Sequence, residues 1–173
     1  ERVVISERAL REGLVVDWMF RNGLLEDRFS FQGSIRERTV IHQANRFAVN
    51  SSRAERVARN ALILYDGSKG VLHSDLGEGR ELLWAAAMLH SCGRHINLDS
   101  YHKHSWYLIR HGELLGFSQA EHLMVSAIAR YHRKSLPKKR HEAWQSLTTK
   151  EDKKLVFEMA LLLRLSVSVD RRP

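Results

Sequence analysis

At 173 residues, with 43% hydrophobic and 28% charged side chains, the chain is long enough for one domain with a buried core, and its composition argues against disorder. No apolar run approaches the roughly 20 residues that a bilayer span requires, and a single cysteine, Cys92, excludes an internal disulfide and a cysteine-based zinc centre. Lys and Arg number 28 against 20 Asp and Glu, a net charge of +8 that favours polyanionic partners.

In chain order, Arg2-Val3-Val4-Ile5-Ser6 is short and β-branched and predicts a strand. A turn at Ala9-Leu10-Arg11-Glu12-Gly13 then leads into Leu14-Val15-Val16. Residues 1–25 therefore read as the tail of a preceding α/β domain, and residues 26–173 as a separate helical domain. Four capping-box patterns punctuate that second part: Ser34 with Glu37, Ser52 with Glu55, Ser118 with Glu121, and Thr148 with Glu151. In each, the hydroxyl can accept from an early backbone amide while the glutamate reaches back to the cap.

After Ser52, the apolar set Val57, Ala58, Ala61, Leu62 and Tyr65 keeps one helical face until Asp66-Gly67. Glu81–Cys92 predicts the most buried helix, stopped by Gly93. Tyr101–Leu115 predicts another, closed by Gly116, and Gln119–His132 follows. Pro137 and the basic residues around it predict a loop. Glu151–Val169 is the last helix, with Leu155, Met159, Leu162, Leu163 and Leu165. With only two prolines and ten glycines, the second part reads as all-α.

Ten histidines are present, and several stand at helix ends. His90 closes AAAMLHSCG, His102 and His104 open YHKHSWYLI, and His132 closes ARYHRK. Imidazoles gathered this way can ligate a metal, hold phosphate, or simply cap helices and satisfy carbonyls.

These segments, in this order, resemble the helical C-terminal region of the exopolyphosphatase/guanosine pentaphosphate phosphohydrolase family, which is of the His-Asp (HD) type. The opening ISERALREGL resembles the last segment of that family's actin-like phosphatase domain. AAMLHSCG, YHKHSWYLI, LGFSQAEHLMVSAIARYHRK and LLLRLSVSVDRR resemble its helical blocks. The resemblance implies an HD-like helical bundle preceded by a short α/β remnant.

It also implies where a metal site would lie. A metal-dependent HD phosphohydrolase would carry its first His at Arg53, its His-Asp pair at His90-Ser91, and its distal Asp near Val167, so His90 alone is retained. A divalent cation needs carboxylates to offset its charge. A guanidinium at the site repels it by about 4 kcal/mol at a separation of ~4 Å and moderate dielectric. The same substitutions suit an anion: Arg53 with His90, His102 and His104 offers donors to phosphate oxygens, and a bound phosphate raises histidine pKa values. A metal site would instead draw on His90, His102, His104 and His132, with Asp75 or Asp99.

Arg130, Arg133, Lys134, Lys138, Lys139 and Arg140 crowd one helix end and the loop after it, interleaved with His132 and His141; no acid falls between Glu121 and Glu142. The helix dipole favours Arg130, Arg133 and Lys134 at a C-terminus, but not the three cations beyond Pro137. A chain with a charge on each phosphate would release counterions on meeting this stripe. Trp18, Trp84, Trp106 and Trp144 are scattered and form no stacking platform, which favours polyphosphate over nucleic acid.

No phosphate-cradling glycine loop, paired catalytic carboxylates or Ser-His-Asp order is present, so no catalytic residue and no cofactor are expected in this segment. The resemblance implies hydrolysis, with Mg²⁺, in an actin-like half. This domain is expected to bind polyphosphate or another phosphate-rich anion and to aid formation of a homodimer, in the cytoplasm and away from membranes. The alternatives are a metal-dependent HD nucleotide phosphohydrolase and a purely structural dimerisation module.

Overall fold

The computed structural model describes residues 34–74 and 77–170, besides Met19. By internal contacts the chain divides into Glu1–Gly33 and Ser34–Pro173. The strand expected at Arg2–Ser6 and the division expected at residue 25 lie outside the described residues. In chain order the second unit contains α1 (Ile35–Arg46), α2 (Ser51–Gly67), α3 (Glu78–Leu89), a 3₁₀ turn (Cys92–His95), α4 (Tyr101–His111), α5 (Gln119–Tyr131), the single turn α6 (Glu142–Gln145) and α7 (Lys150–Val169). Among the described residues there is no strand, only an isolated bridge between Lys69 and His73. The described unit is all-α, and no described helix is long and apolar enough to cross a membrane.

Two of the four expected capping boxes form, at Ser34–Glu37 and Ser118–Glu121, each with both reciprocal hydrogen bonds. The other two are displaced. α2 starts from Asn50, whose Oδ1 accepts from Arg53 N at 2.9 Å, because Ala48 turns the chain at φ +50° two residues before. α7 starts from Thr149 rather than Thr148, with Oγ1 accepting from Asp152 N at 2.9 Å. α4 ends at His111, earlier than the expected Leu115. Thr39 Oγ1 and Gln43 Nε2 both donate to Glu113 O at 3.1 Å, and Leu115 N donates to Thr39 Oγ1 at 3.1 Å, which draws residues 113–115 off the helix and onto α1.

α3 is the central helix: eight of its twelve residues are buried, and it packs against α1, α2, α5 and α7. Ala85, Ala86 and Ala87 are fully buried and let neighbouring helices approach closely, while Leu82, Leu83 and Leu89 fill the space between. Each such leucine contributes about 1.5–3 kcal/mol by burial. Arg36 ties three helices together. Its guanidinium donates to Glu81 of α3 at 2.9 Å and to Glu121 of α5 at 2.9 and 3.1 Å, and its Nε donates to Gly116 O at 2.9 Å.

Candidate anion-binding site

The site forms where α3 runs out. His90 O accepts from Ser105 Oγ of α4 at 2.8 Å, and Ser105 Oγ accepts from Gly93 N at 2.9 Å. Gly93 makes this crossing possible, since a Cβ there would lie 2.1 Å from Tyr101 O and 2.3 Å from Ser105 N. The start of α4 is thereby pressed onto the 3₁₀ turn, and Tyr101 meets the end of α5. The His90 and His132 rings meet edge to face with centroids 5.1 Å apart, and the Tyr101 ring lies 5.5 Å from that of His132.

Both histidines are tautomerically fixed. His90 Nδ1 lies 2.6 Å from Ala87 O and His132 Nδ1 lies 2.6 Å from Ala129 O, so each Nδ1 carries the proton and donates. His132 Nε2 is then an acceptor, and the Tyr101 hydroxyl donates to it at 3.1 Å. Burial pushes the His90 pKa down to about 4, with Arg53 and Arg94 adding to it against the Ala87 bond and the Asp170 charge. Burial first, then His90, holds His132 well below the usual histidine range. These two rings are therefore neutral near pH 7, and the proton-charged imidazoles that would reinforce a phosphate are not found at either.

Arg53 is brought to this region by the packing of α2 on α7, but not as a free cation. Its Nε lies 3.3 Å from Asp170 Oδ2, while Arg56 Nε donates to Asp170 Oδ1 at 3.0 Å. The Asp170 side chain is 4% exposed. A carboxylate therefore does stand here, three residues beyond Val167 and clamped between two guanidiniums. Sequence reasoning missed it, although the run LSVSVD at the end of a capped amphipathic helix carries the signal.

Among the described residues, no three His, Cys, Asp or Glu side chains are arranged to hold a metal ion. Two positions separate His102 from His104, about 200° around a helix, so one pocket cannot collect both. Asp99 is exposed and Asp75 lies outside the described residues.

The cationic residues separate into three places. Arg133 lies with its guanidinium 4.6 Å from the centre of the Tyr101 ring, on one side of a cleft of about 440 Å³. Tyr101 and His132 line that cleft together with Lys134, Arg164, Val167 and Ser168, and no acid is among the described residues that line it. Arg164, missed in the sequence, donates from Nη2 to Lys134 O at 2.6 Å and so supports Lys134 at φ +59°. Arg130 and His102 are a second set, which does not line that cleft. Both are buried, and Arg130 Nη1 and His102 Nδ1 make no hydrogen bond among the described residues. Lys138, Lys139 and Arg140 form the third, exposed on the loop between α5 and α6. There the backbone N–H of Lys138 donates to His141 Nδ1 at 3.3 Å, and the His141 ring stacks on Tyr131.

The profile of the Ppx/GppA phosphatase, domain III, matches residues 35–173. Among curated proteins, a guanosine-5'-triphosphate,3'-diphosphate pyrophosphatase of Pseudoalteromonas translucida is 34% identical over 138 residues, 80% of this chain and 26% of the relative. A protein of the same name from Vibrio vulnificus is 30% identical over 172 residues, 99% of this chain and 32% of the relative. The chain thus spans about a quarter to a third of the length of these relatives. On a match that begins one residue after the Ser34 cap and takes in every helix just described, the chain belongs to the Ppx/GppA phosphatase family and carries its domain III.

Proposed function

We propose that this domain serves a cytoplasmic phosphohydrolase by holding a phosphate-rich anion, polyphosphate or guanosine pentaphosphate, in the cleft between the end of α5 and the end of α7. Hydrolysis, with its Mg²⁺, belongs to the part of the whole protein that this chain does not span. The observation that carries this reading is the cleft itself, with Arg133, Lys134 and Arg164 on its walls, Tyr101 and neutral His132 beside them, and no acid among the described residues that line it. Arg164 and the Tyr101 ring hold the cations in place, so less side-chain entropy is lost when a phosphate engages them. The names of the relatives favour a guanosine polyphosphate, whereas exposed cations beyond the cleft, at Lys138, Lys139 and Arg140, favour a longer anion.

Isothermal titration of the chain with polyphosphate tests this. Arg133→Gln with Lys134→Gln should weaken binding by about 10-fold or more and reduce the salt slope by about 2, as two ionic contacts are lost. Equal affinity in the double variant would sink the reading, and equal competition by single-stranded RNA would turn it toward nucleic acid.

Self-association is the second part of the proposal. α7 exposes Phe157, Leu161, Leu165 and Val169 at four-residue intervals, a ridge that can pack against the same ridge of a second copy across a twofold axis. Leu161→Glu with Leu165→Glu should convert a dimer to a monomer by light scattering, and a dimer that survives the change excludes this face.

A further inference from the structure

Tyr101 packs against two guanidiniums. Arg133 Cζ lies 4.6 Å from the centre of its ring, and Arg94 Cζ lies 5.4 Å from the same centre. Arg94 comes there because Gly93, the residue before it, lets the 3₁₀ turn run against the start of α4, where a Cβ on Gly93 would meet Tyr101 O. The two guanidinium carbons are therefore no further apart than those distances combined, within about one screening length, ~10 Å at 0.1 M salt. Arg36, Arg53, Arg56, Arg80 and Arg110 each meet a carboxylate. Arg94 and Arg133 meet none among the described residues, and Arg94 is exposed. A cation–ring contact at an exposed site contributes about 0.5–1 kcal/mol, enough to place a guanidinium but not to neutralise it. The start of α4 adds to the same sign, since it has no acid in its first turn.

We propose that Arg94 carries a phosphate polymer onward from the cleft, past Tyr101 and onto the 3₁₀ turn. This rests on the reading of the cleft as an anion site, and it extends that site by a residue that does not line the cleft. A guanidinium held against a ring keeps N–H groups on its outer edge for phosphate oxygens. Phosphates along a linear polymer meet Arg133 and Arg94 in turn, and their charge offsets the repulsion between the two. A guanosine nucleotide gains less. The ring on which its base could stack already meets two guanidiniums and lies 5.5 Å from the ring of His132. The track from Arg133 to Arg94 therefore selects a linear polymer.

Calorimetry on this chain with long-chain polyphosphate, repeated over a range of salt concentrations, tests the track. Arg94→Gln should weaken binding by roughly 3- to 10-fold at low salt and reduce the salt slope by about 1. Arg94→Lys keeps the charge, so its slope should be unchanged and its affinity intermediate. Arg59→Gln, at an exposed position on α2, removes the same charge elsewhere and is the control. If Arg94 only braces Tyr101, Arg94→Gln lowers affinity with the slope unaltered, and that result overturns the proposal. So does a loss no larger than that of Arg59→Gln; the cleft then still stands if Arg133→Gln with Lys134→Gln weakens binding. A loss at Arg94 with none at Arg133 and Lys134 would refute a track that leads from the cleft. An equal loss of guanosine triphosphate binding in Arg94→Gln would overturn the selection of a polymer.

Discussion

Replacing Asp170 by Asn should lower stability and raise affinity for phosphate polymers at the same time. The carboxylate is 4% exposed, accepts from Arg56 Nε at 3.0 Å and lies 3.3 Å from Arg53 Nε. Removing one partner from a fully buried pair costs about 3–5 kcal/mol, because a lone charge stays dry. The survivors here are two guanidiniums, 36% and 39% exposed, which water reaches. The cost is therefore nearer about 1–2 kcal/mol. In a chain of this size that lowers Tm by about 2–8 °C. Guanidinium chloride unfolding should show the midpoint falling with an unchanged slope, as expected when stability rather than compactness changes. Freed from Asp170, Arg53 and Arg56 become available to an anion, and polyphosphate titration should show tighter binding. Asp99→Asn, at an exposed position, alters net charge by the same unit and is the control. An unchanged midpoint, or a gain in affinity no larger than that of Asp99→Asn, would refute the clamp.

Stability should also fall with acid. The folded pKa of His90 is depressed to about 4, so an unfolded chain titrating near 6.5 binds a proton that the fold refuses. The stabilisation is complete above about pH 6.5 and is lost toward pH 4, by about 2 kcal/mol at pH 5 from His90 alone; urea midpoints at pH 7 and pH 5 measure it, and equal midpoints would count against a neutral His90. Gly93→Ala forces a Cβ to 2.1 Å from Tyr101 O and should cost about 3 kcal/mol, read from the same unfolding curves, while loosening the seat of Tyr101. Thr149→Ala should cost about 1 kcal/mol and Thr148→Ala close to nothing, because only Thr149 caps α7; the reverse order would restore the box expected at Thr148. Arg36→Met should cost about 1–2 kcal/mol by calorimetric melting, since two helices lose a shared partner that is partly solvated.

The helical character of the chain was legible residue by residue. Apolar spacing identified α2, α3, α5 and α7, because one amphipathic face per helix is a local pattern that needs no knowledge of its partner. Boundaries were less legible wherever a distant side chain decided them. Leu115 leaves α4 because Thr39 and Gln43, on another helix, capture Glu113 O. Caps at Asn50 and Thr149 in place of Ser52 and Thr148 reflect competition among adjacent polar residues that satisfy the same pattern.

By itself the sequence determined the class of the domain, its family, its positive charge and the set of histidines at helix ends, since these depend on composition and on short-range periodicity. Only the tertiary structure decided what those groups are. Burial made His90 and His132 neutral, packing of α2 on α7 gave Arg53 a carboxylate, and Arg164 came from α7 to the cleft while Arg130 was buried with no acid beside it among the described residues. The physical reason is that desolvation and pairing are set by neighbours far apart along the chain, and a charge written in the sequence has no fixed strength until the fold supplies its surroundings.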